Sequence, residues 1–101
     1  RLGDGWSREI DCSVSGTVVP VTSTAILVNV TVVNTSATGF LTAFAHGAAV
    51  PAASTINWGS SGTVVANGTS VAIDANRAIK VFCGTGSAHF IIDVVGYYVP
   101  F

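Results

Sequence analysis

The longest regular pattern in the chain covers residues 25–34, A-I-L-V-N-V-T-V-V-N, where hydrophobic positions recur at every second residue. One face of this segment is entirely apolar and consists of Ile26, Val28, Val30 and Val32. A period of two residues predicts a β-strand with one buried side. Residues 88–95 repeat the pattern near the other end of the chain. We therefore expect two central strands that a second layer must cover.

Shorter alternating segments occupy much of the remaining chain. They predict further strands over residues 6–14, 40–46, 54–58, 63–73 and 78–83. The turn-rich residues after Asn34 predict a hairpin, and Asn67-Gly68 predicts a bulge within one long strand, with a hairpin turn as the alternative. The last strand is expected to end near Gly96 and to leave a short aromatic tail. No helical period is sustained over the roughly 10 to 12 residues of a convincing helix.

These elements predict an all-β fold, a single β-sandwich of about seven or eight strands with Greek-key or jelly-roll-like crossing. At 101 residues the chain has room for one domain, which we assign to residues 1–101. It begins at Arg1 without Met. We therefore expect it to be processed or excised from a longer precursor.

Charge is scarce in this sequence. Only 9% of the residues are charged, the formal net charge is −1, and 50% are hydrophobic. The usual charged share is roughly 25%. Such a chain has little attraction for nucleic acid or an anionic membrane, and no apolar run approaches the roughly 18 to 20 residues of a membrane-spanning helix. We expect no nucleic-acid partner, no membrane span, and an extracellular or cell-surface location.

Two cysteines, Cys12 and Cys83, fall on the inward faces of predicted strands, aligned with Ile10 and Ile79 respectively. Neighbouring strands would allow a disulfide that closes a long loop, which the secreted composition favours. Two buried free thiols are the alternative. Two cysteines without a nearby histidine pair do not predict a metal site, and no cofactor is expected.

Several aromatic residues and sequons are candidate contact or modification sites. Trp6, Trp58, Tyr97, Tyr98 and Phe101 could form an interface or a flat platform for sugar rings; the alternative is packing in the core. Asn29, Asn34 and Asn67 each begin an N-x-S/T sequence and are candidate glycosylation sites.

Catalytic groups are sparse. The only histidines are His46 and His89, and G-S-S-G at 59–62 lacks the spacing of a nucleophile elbow. Asp93 interrupts an apolar strand, where we expect it, like Asn29, to make structural hydrogen bonds. A calcium role for Asp93 with Asp74 or Asp11 is the alternative. We expect the chain not to be an enzyme.

Five blocks, in order, resemble a repeat domain of secreted and cell-surface proteins of actinobacteria and related bacteria. They are I-L-V-N-V-T-V-V-N at 26–34, G-F-L-T-A-F at 39–44, P-A-A-S-T-I-N-W at 51–58, G-T-V-V-A-N at 62–67 and H-F-I-I-D-V-V-G-Y-Y at 89–98. The resemblance implies an extracellular β module that is an appendage, in tandem or beside catalytic domains. It supplies no catalytic residues, and the cysteines lie outside its pattern.

The leading hypothesis is a non-catalytic extracellular structural module, a homo-oligomer or a domain that packs on neighbours in the same precursor, in a filament or layer. Low charge and unguarded strands favour it. The alternative is a carbohydrate- or cell-wall-binding module with glycan as its partner. A small hydrolase built from His46, His89 and Asp93 is the third hypothesis.

Overall fold

Seven strands make up the computed structural model, which describes residues 2–14, 19–49 and 54–100. The strands are β1 (Ser7–Asp11), β2 (Ala25–Ser36), β3 (Gly39–Ala45), β4 (Ile56–Trp58), β5 (Val65–Ala72), β6 (Ala78–Gly84) and β7 (Ser87–Tyr98). A single 3-10 turn at Cys12–Val14 follows β1. All the predicted strands are present, with boundaries that differ by a few residues.

The strands form two antiparallel sheets packed face to face. One sheet has the order β1-β6-β3-β4 and the other has the order β5-β2-β7. Among the seven described strands, the connection from β3 to β4 is the one that stays within a sheet, and the other five connections join strands of different layers. The prediction of a single β-sandwich is therefore confirmed.

The core lies where the inner faces of the two sheets meet. Ile26, Val28, Val30 and Val32 of β2 and Ile79, Val81 and Cys83 of β6 are all 0% exposed. Burying one branched aliphatic side chain stabilises the fold by about 1.5 to 3 kcal/mol. The alternation in β2 thus determines which side of that strand faces the core.

The turn after Asn34 does not make a hairpin, because β2 and β3 belong to different sheets. Asn34 and Ala37 have positive φ angles of 54° and 56°, which redirect the chain between the layers. The buried Thr35 hydroxyl accepts a hydrogen bond from the Thr63 amide at 2.8 Å and donates to the Ser60 carbonyl at 3.0 Å. The predicted hairpin is wrong because this corner is held to the loop before β5.

The register irregularities lie in the β2–β7 pair, and the bulge predicted at Asn67-Gly68 is wrong. β5 runs through Asn67-Gly68 in regular register with β2. In β7, by contrast, Val28 pairs with Val94 and Leu27 with Gly96, so that Val95 is an extra residue. The strand then continues to Tyr98, and the predicted free tail is wrong for Tyr97 and Tyr98.

The Cys12–Cys83 disulfide prediction is also wrong, since both cysteines are free thiols in the core. The β1 strand ends at Asp11, and the Cys12 amide bonds the Arg77 carbonyl beside the start of β6. Cys83 lies six residues further along β6, roughly 20 Å away at about 3.3 Å per residue. A disulfide needs Cα atoms within about 7 Å. The two strands are neighbours, but their register places the cysteines at opposite ends.

Candidate functional site

The surface with the most distinctive chemistry is the side of the β5-β2-β7 sheet that points away from the core. Directly paired residues of antiparallel strands point to the same side of a sheet, so the outward residues alternate with the buried ones. We call this surface the outward face. It consists of Ala66, Gly68, Ser70 and Ala72 of β5, of Ala25, Leu27, Asn29, Thr31 and Val33 of β2, and of His89, Ile91, Asp93, Gly96 and Tyr98 of β7.

Solvent reaches large apolar side chains on this face. Ile91 is 50% exposed and Tyr98 is 51% exposed, and the neighbouring bulge residue Val95 is 60% exposed. The outward residues of β2 are half-buried, because the strands on both sides flank them. The outward face is therefore a continuous sheet surface with accessible hydrophobic groups.

Formal charge is nearly absent from this sheet. The sequences of β2, β5 and β7 contain no Lys or Arg, and Asp93 is their one carboxylate. Asp93 is exposed opposite Asn29, so water can solvate its carboxylate in an otherwise apolar strand. The other sheet carries several charged residues, namely Arg8, Glu9, Asp11 and Lys80. The β5-β2-β7 sheet thus carries fewer charged residues than the other sheet.

Side-chain size also varies across the outward face. On β5 the outward positions hold only Ala, Gly and Ser residues, and all of them are exposed. On β7 they hold His89, Ile91, Asp93 and Tyr98, with Gly96 as the one small residue. The β5 edge of the face, which we call the low edge, therefore carries small side chains, and the β7 edge carries large ones.

The aromatic residues do not assemble into one platform. Trp58 is only 3% exposed and packs in the core, so it cannot stack on a ligand. The Trp6 indole is 65% exposed at the end of the sandwich where the Trp6 carbonyl accepts from the Cys83 amide. Tyr98 pairs with Ala25 at the opposite end. Phe101, the fifth predicted aromatic residue, lies outside the described residues.

One histidine follows a strand of the four-stranded sheet, and the other lies in the three-stranded sheet. His46 follows β3, and its Nε2 contacts the Glu9 carboxylate. His89 pairs with Val33 at the start of β7, and Asp93 lies four residues further along the same strand. That spacing separates them by about 13 Å. The structure therefore does not bring His46, His89 and Asp93 together as a triad.

A shallow cleft of about 340 Å³ opens at the end of the sandwich near His46. Its lining is Ala45, His46, Gly47, Ala48, Ala72, Ile73, Asp74 and Ala78. The Asp74 Oδ1 atom accepts from the Asn76 amide at 2.9 Å, and the His46 ring contacts Glu9. These two polar groups already have partners, and the lining residues supply no hydroxyl, thiol or amine nucleophile.

The other carboxylates of the suggested calcium set are also engaged locally. Asp11 Oδ1 accepts from the Ser13 amide at 2.9 Å and from its hydroxyl at 2.6 Å, and these bonds lower the pKa of Asp11. Within residues 2–14, 19–49 and 54–100, no group of three or more His, Cys, Asp or Glu side chains could hold a metal ion.

The three sequons differ in accessibility. Asn29 is half-buried in the middle of the outward face, between Gly68 and Asp93. Asn34 is exposed at the corner between the sheets. Asn67 is exposed, but its side-chain amide donates to the Thr55 carbonyl at 3.0 Å. A glycan at Asn29 would cover the outward face.

Comparisons with known proteins do not indicate a function for this chain. No protein-family model, curated protein or solved structure matched this chain. Within the part of the chain that the structure describes, no helix is long and apolar enough to cross a membrane.

The β5 edge of the outward face is the part that sequence reasoning missed. Alternation identifies the outward positions of β2, but it does not say which strands lie beside it. The small residues at every second position of β5 were the available signal, and they gain meaning only once β5 is placed next to β2.

Proposed function

We propose that this chain is a non-catalytic structural module that works at the cell exterior by packing on copies of itself or on neighbouring domains of the same precursor, in a filament or layer. The observation that carries the proposal is the outward face, where Ile91 and Tyr98 are half exposed on a sheet with a single carboxylate. Soluble monomers usually keep exposed apolar patches small and guard sheet edges with Lys or Pro. A sheet with exposed apolar side chains, whose outer strands β5 and β7 contain no Lys or Pro, is suited to protein contact.

The distribution of charge supports the same proposal. Charged residues are concentrated in β1, around Lys80 and in the loop before β6, which leaves Asp93 as the one Asp, Glu, Lys or Arg in β5, β2 and β7. A contact on this sheet would desolvate few ions, which keeps its electrostatic cost low. The resemblance to cell-surface repeat domains supports the extracellular location.

Sedimentation velocity and negative-stain microscopy of the purified chain test this function. We expect the mean sedimentation coefficient to rise with protein concentration, and concentrated samples to contain oligomers, filaments or sheets. A chain that remains a monomer at millimolar concentration, and does not bind neighbouring domains of its precursor, would contradict the proposal.

Carbohydrate binding is a second candidate because Trp6 presents a 65% exposed indole. A single exposed tryptophan can stack on one sugar ring. Binding to cell-wall glycans that is lost in Trp6→Ala and retained in Tyr98→Ala would favour this function. Equal binding by the two variants would remove Trp6 as the contact.

A further inference from the structure

We propose that the partner of the outward face is a second copy of this chain, packed face to face about a two-fold axis nearly parallel to β2. This inference depends on the proposed function and adds the surface, the partner and the symmetry. A two-fold contact closes after two copies, so a filament or layer also requires copies linked in tandem or a second contact surface. Three features of the outward face favour the arrangement, namely the uneven size of its side chains, the position of its one carboxylate and its low charge, and the area of the face indicates the strength of the contact.

Side chains are large along β7 and small along β5, so the outward face fits a second copy of itself under this symmetry. A two-fold axis along the central strand places β7 of each copy over β5 of the other. The large side chains of Ile91 and Tyr98 then lie against the small residues of the partner's β5. Large side chains facing small ones let two sheets pack at an even spacing of about 10 Å.

The position of Asp93 distinguishes this axis from the other simple arrangement. A two-fold axis perpendicular to the strands would stack β7 on β7 and bring the two Asp93 carboxylates towards each other. An axis along β2 places Asp93 over Gly68, since both residues pair with Asn29. The two carboxylates then lie on opposite edges, about 10 Å apart or more, and this separation weakens their repulsion.

The charge content of the face also favours a second copy as its occupant. A strongly basic or acidic partner would find only one carboxylate to pair with on these three strands. A second copy presents the same nearly uncharged surface, so association buries only one carboxylate per copy. That carboxylate faces the low edge at Gly68, where a small residue leaves space for water.

The area of the face indicates how strong the contact is. Eight paired positions along β2 and three strands give a footprint of roughly 400 Å² per copy, at about 4.8 Å between strands and 3.4 Å per residue. A stable interface buries about 800 Å² per partner. A single pair of domains should therefore associate weakly and reversibly.

Cysteine crosslinking between two variants tests the symmetry. Asp93→Cys and Gly68→Cys are mixed at millimolar concentration and treated with a short bismaleimide. The Gly68 position accepts a side chain, because a Cβ there would lie 3.8 Å from its nearest neighbour, the Val28 carbonyl oxygen. Since the native Cys12 and Cys83 are buried, the introduced thiols react first. We expect the mixed product to exceed either homodimer several-fold.

Ser7→Cys is the matched control, because Ser7 is exposed on β1 in the other sheet. Its mixture with Asp93→Cys should give only background crosslinking. An Asp93→Cys homodimer as the main product would overturn the proposed axis, as would equal yields from all mixtures.

A charge variant separates failure of this inference from failure of the proposed function. Ser70→Glu places a second carboxylate on the low edge, about 7 Å along β5 from the position that Asp93 of the other copy covers, and Ser7→Glu places the same group on the other sheet. We expect Ser70→Glu to abolish the concentration dependence of sedimentation, because two carboxylates then repel each other across the contact, and Ser7→Glu to retain it. If both variants associate like the native chain, the module self-associates through another surface and the inference fails. If the native chain does not associate at all, self-association itself fails.

Discussion

Replacing Gly39 with alanine tests the packing that holds the end of the four-stranded sheet together. Gly39 pairs with Trp58, whose indole is 3% exposed and lies against the Gly39 backbone. A Cβ at position 39 would lie 2.5 Å from Trp58 Cζ2 and 2.9 Å from the Gly86 amide nitrogen. Carbon atoms pack at about 3.5 to 4.0 Å, so the ring must move by about 1 Å.

The size of the expected destabilisation follows from how tightly the Trp58 ring is packed. Inserting a methyl group into a packed core typically costs about 1 to 3 kcal/mol. Gly68→Ala is the matched control, since a Cβ there meets nothing closer than 3.8 Å. It should stabilise the fold by about 0.4 to 1 kcal/mol, because it restricts the unfolded chain. The same substitution should therefore have opposite signs at the two positions.

Urea and thermal unfolding, followed by circular dichroism, measure both effects. For a domain of this size, each 1 kcal/mol changes the Tm by about 4 to 8 °C. Adding Trp58→Phe to Gly39→Ala should recover part of the loss relative to the sum of the single changes. A Gly39→Ala variant as stable as the native chain, or a Gly68→Ala variant equally destabilised, would refute this account of the packing.

Three further predictions concern the core, the thiols and the first strand. Val30→Ala, at a 0% exposed position, should lower the free energy of unfolding by about 1 to 3 kcal/mol in urea titrations. Burial raises the pKa of the Cys12 and Cys83 thiols, so we expect neither to react with iodoacetamide at neutral pH until the chain is unfolded, as mass spectrometry would show. The hydrogen bonds from Ser13 lower the pKa of Asp11, so their stabilising effect is present above the ordinary pKa of an aspartate and is lost as pH falls through the folded-state pKa. Ser13→Ala should therefore destabilise the fold at neutral pH, and unfolding curves of the two proteins should converge in acid.

The alternation of apolar and polar residues predicts the strands well, because it depends only on which side of each strand is buried. The segment around Val30 is recognisable without knowledge of any other strand. The predicted hairpin after Asn34 fails for a non-local reason: the corner between β2 and β3 depends on the hydrogen bonds that Thr35 makes with the loop before β5. Sequence signals mark that corner as a turn but do not identify the sheet that the chain enters next.

The cysteines illustrate the same limit. Alternation correctly indicates that Cys83 faces inward, and Cys12 is also buried. Whether two inward residues meet depends on register, which is set by the pairing of β1 with β6 and places Asp11 opposite Ala78. The outward face required even more information, since β5 and β7 must both be placed beside β2. Its low charge was visible in the composition, but its location was not.

The size of the outward face links its weak contact to a role at a surface. Roughly 400 Å² per copy is about half of what a stable pair needs, so isolated domains in dilute solution should remain mostly apart. Copies displayed in tandem or crowded on a cell exterior meet at a much higher effective concentration, and the same contact then becomes persistent. Assembly would therefore be controlled by how the domains are displayed. The outward face, with its single carboxylate, supplies a contact that is too weak to cause association before display.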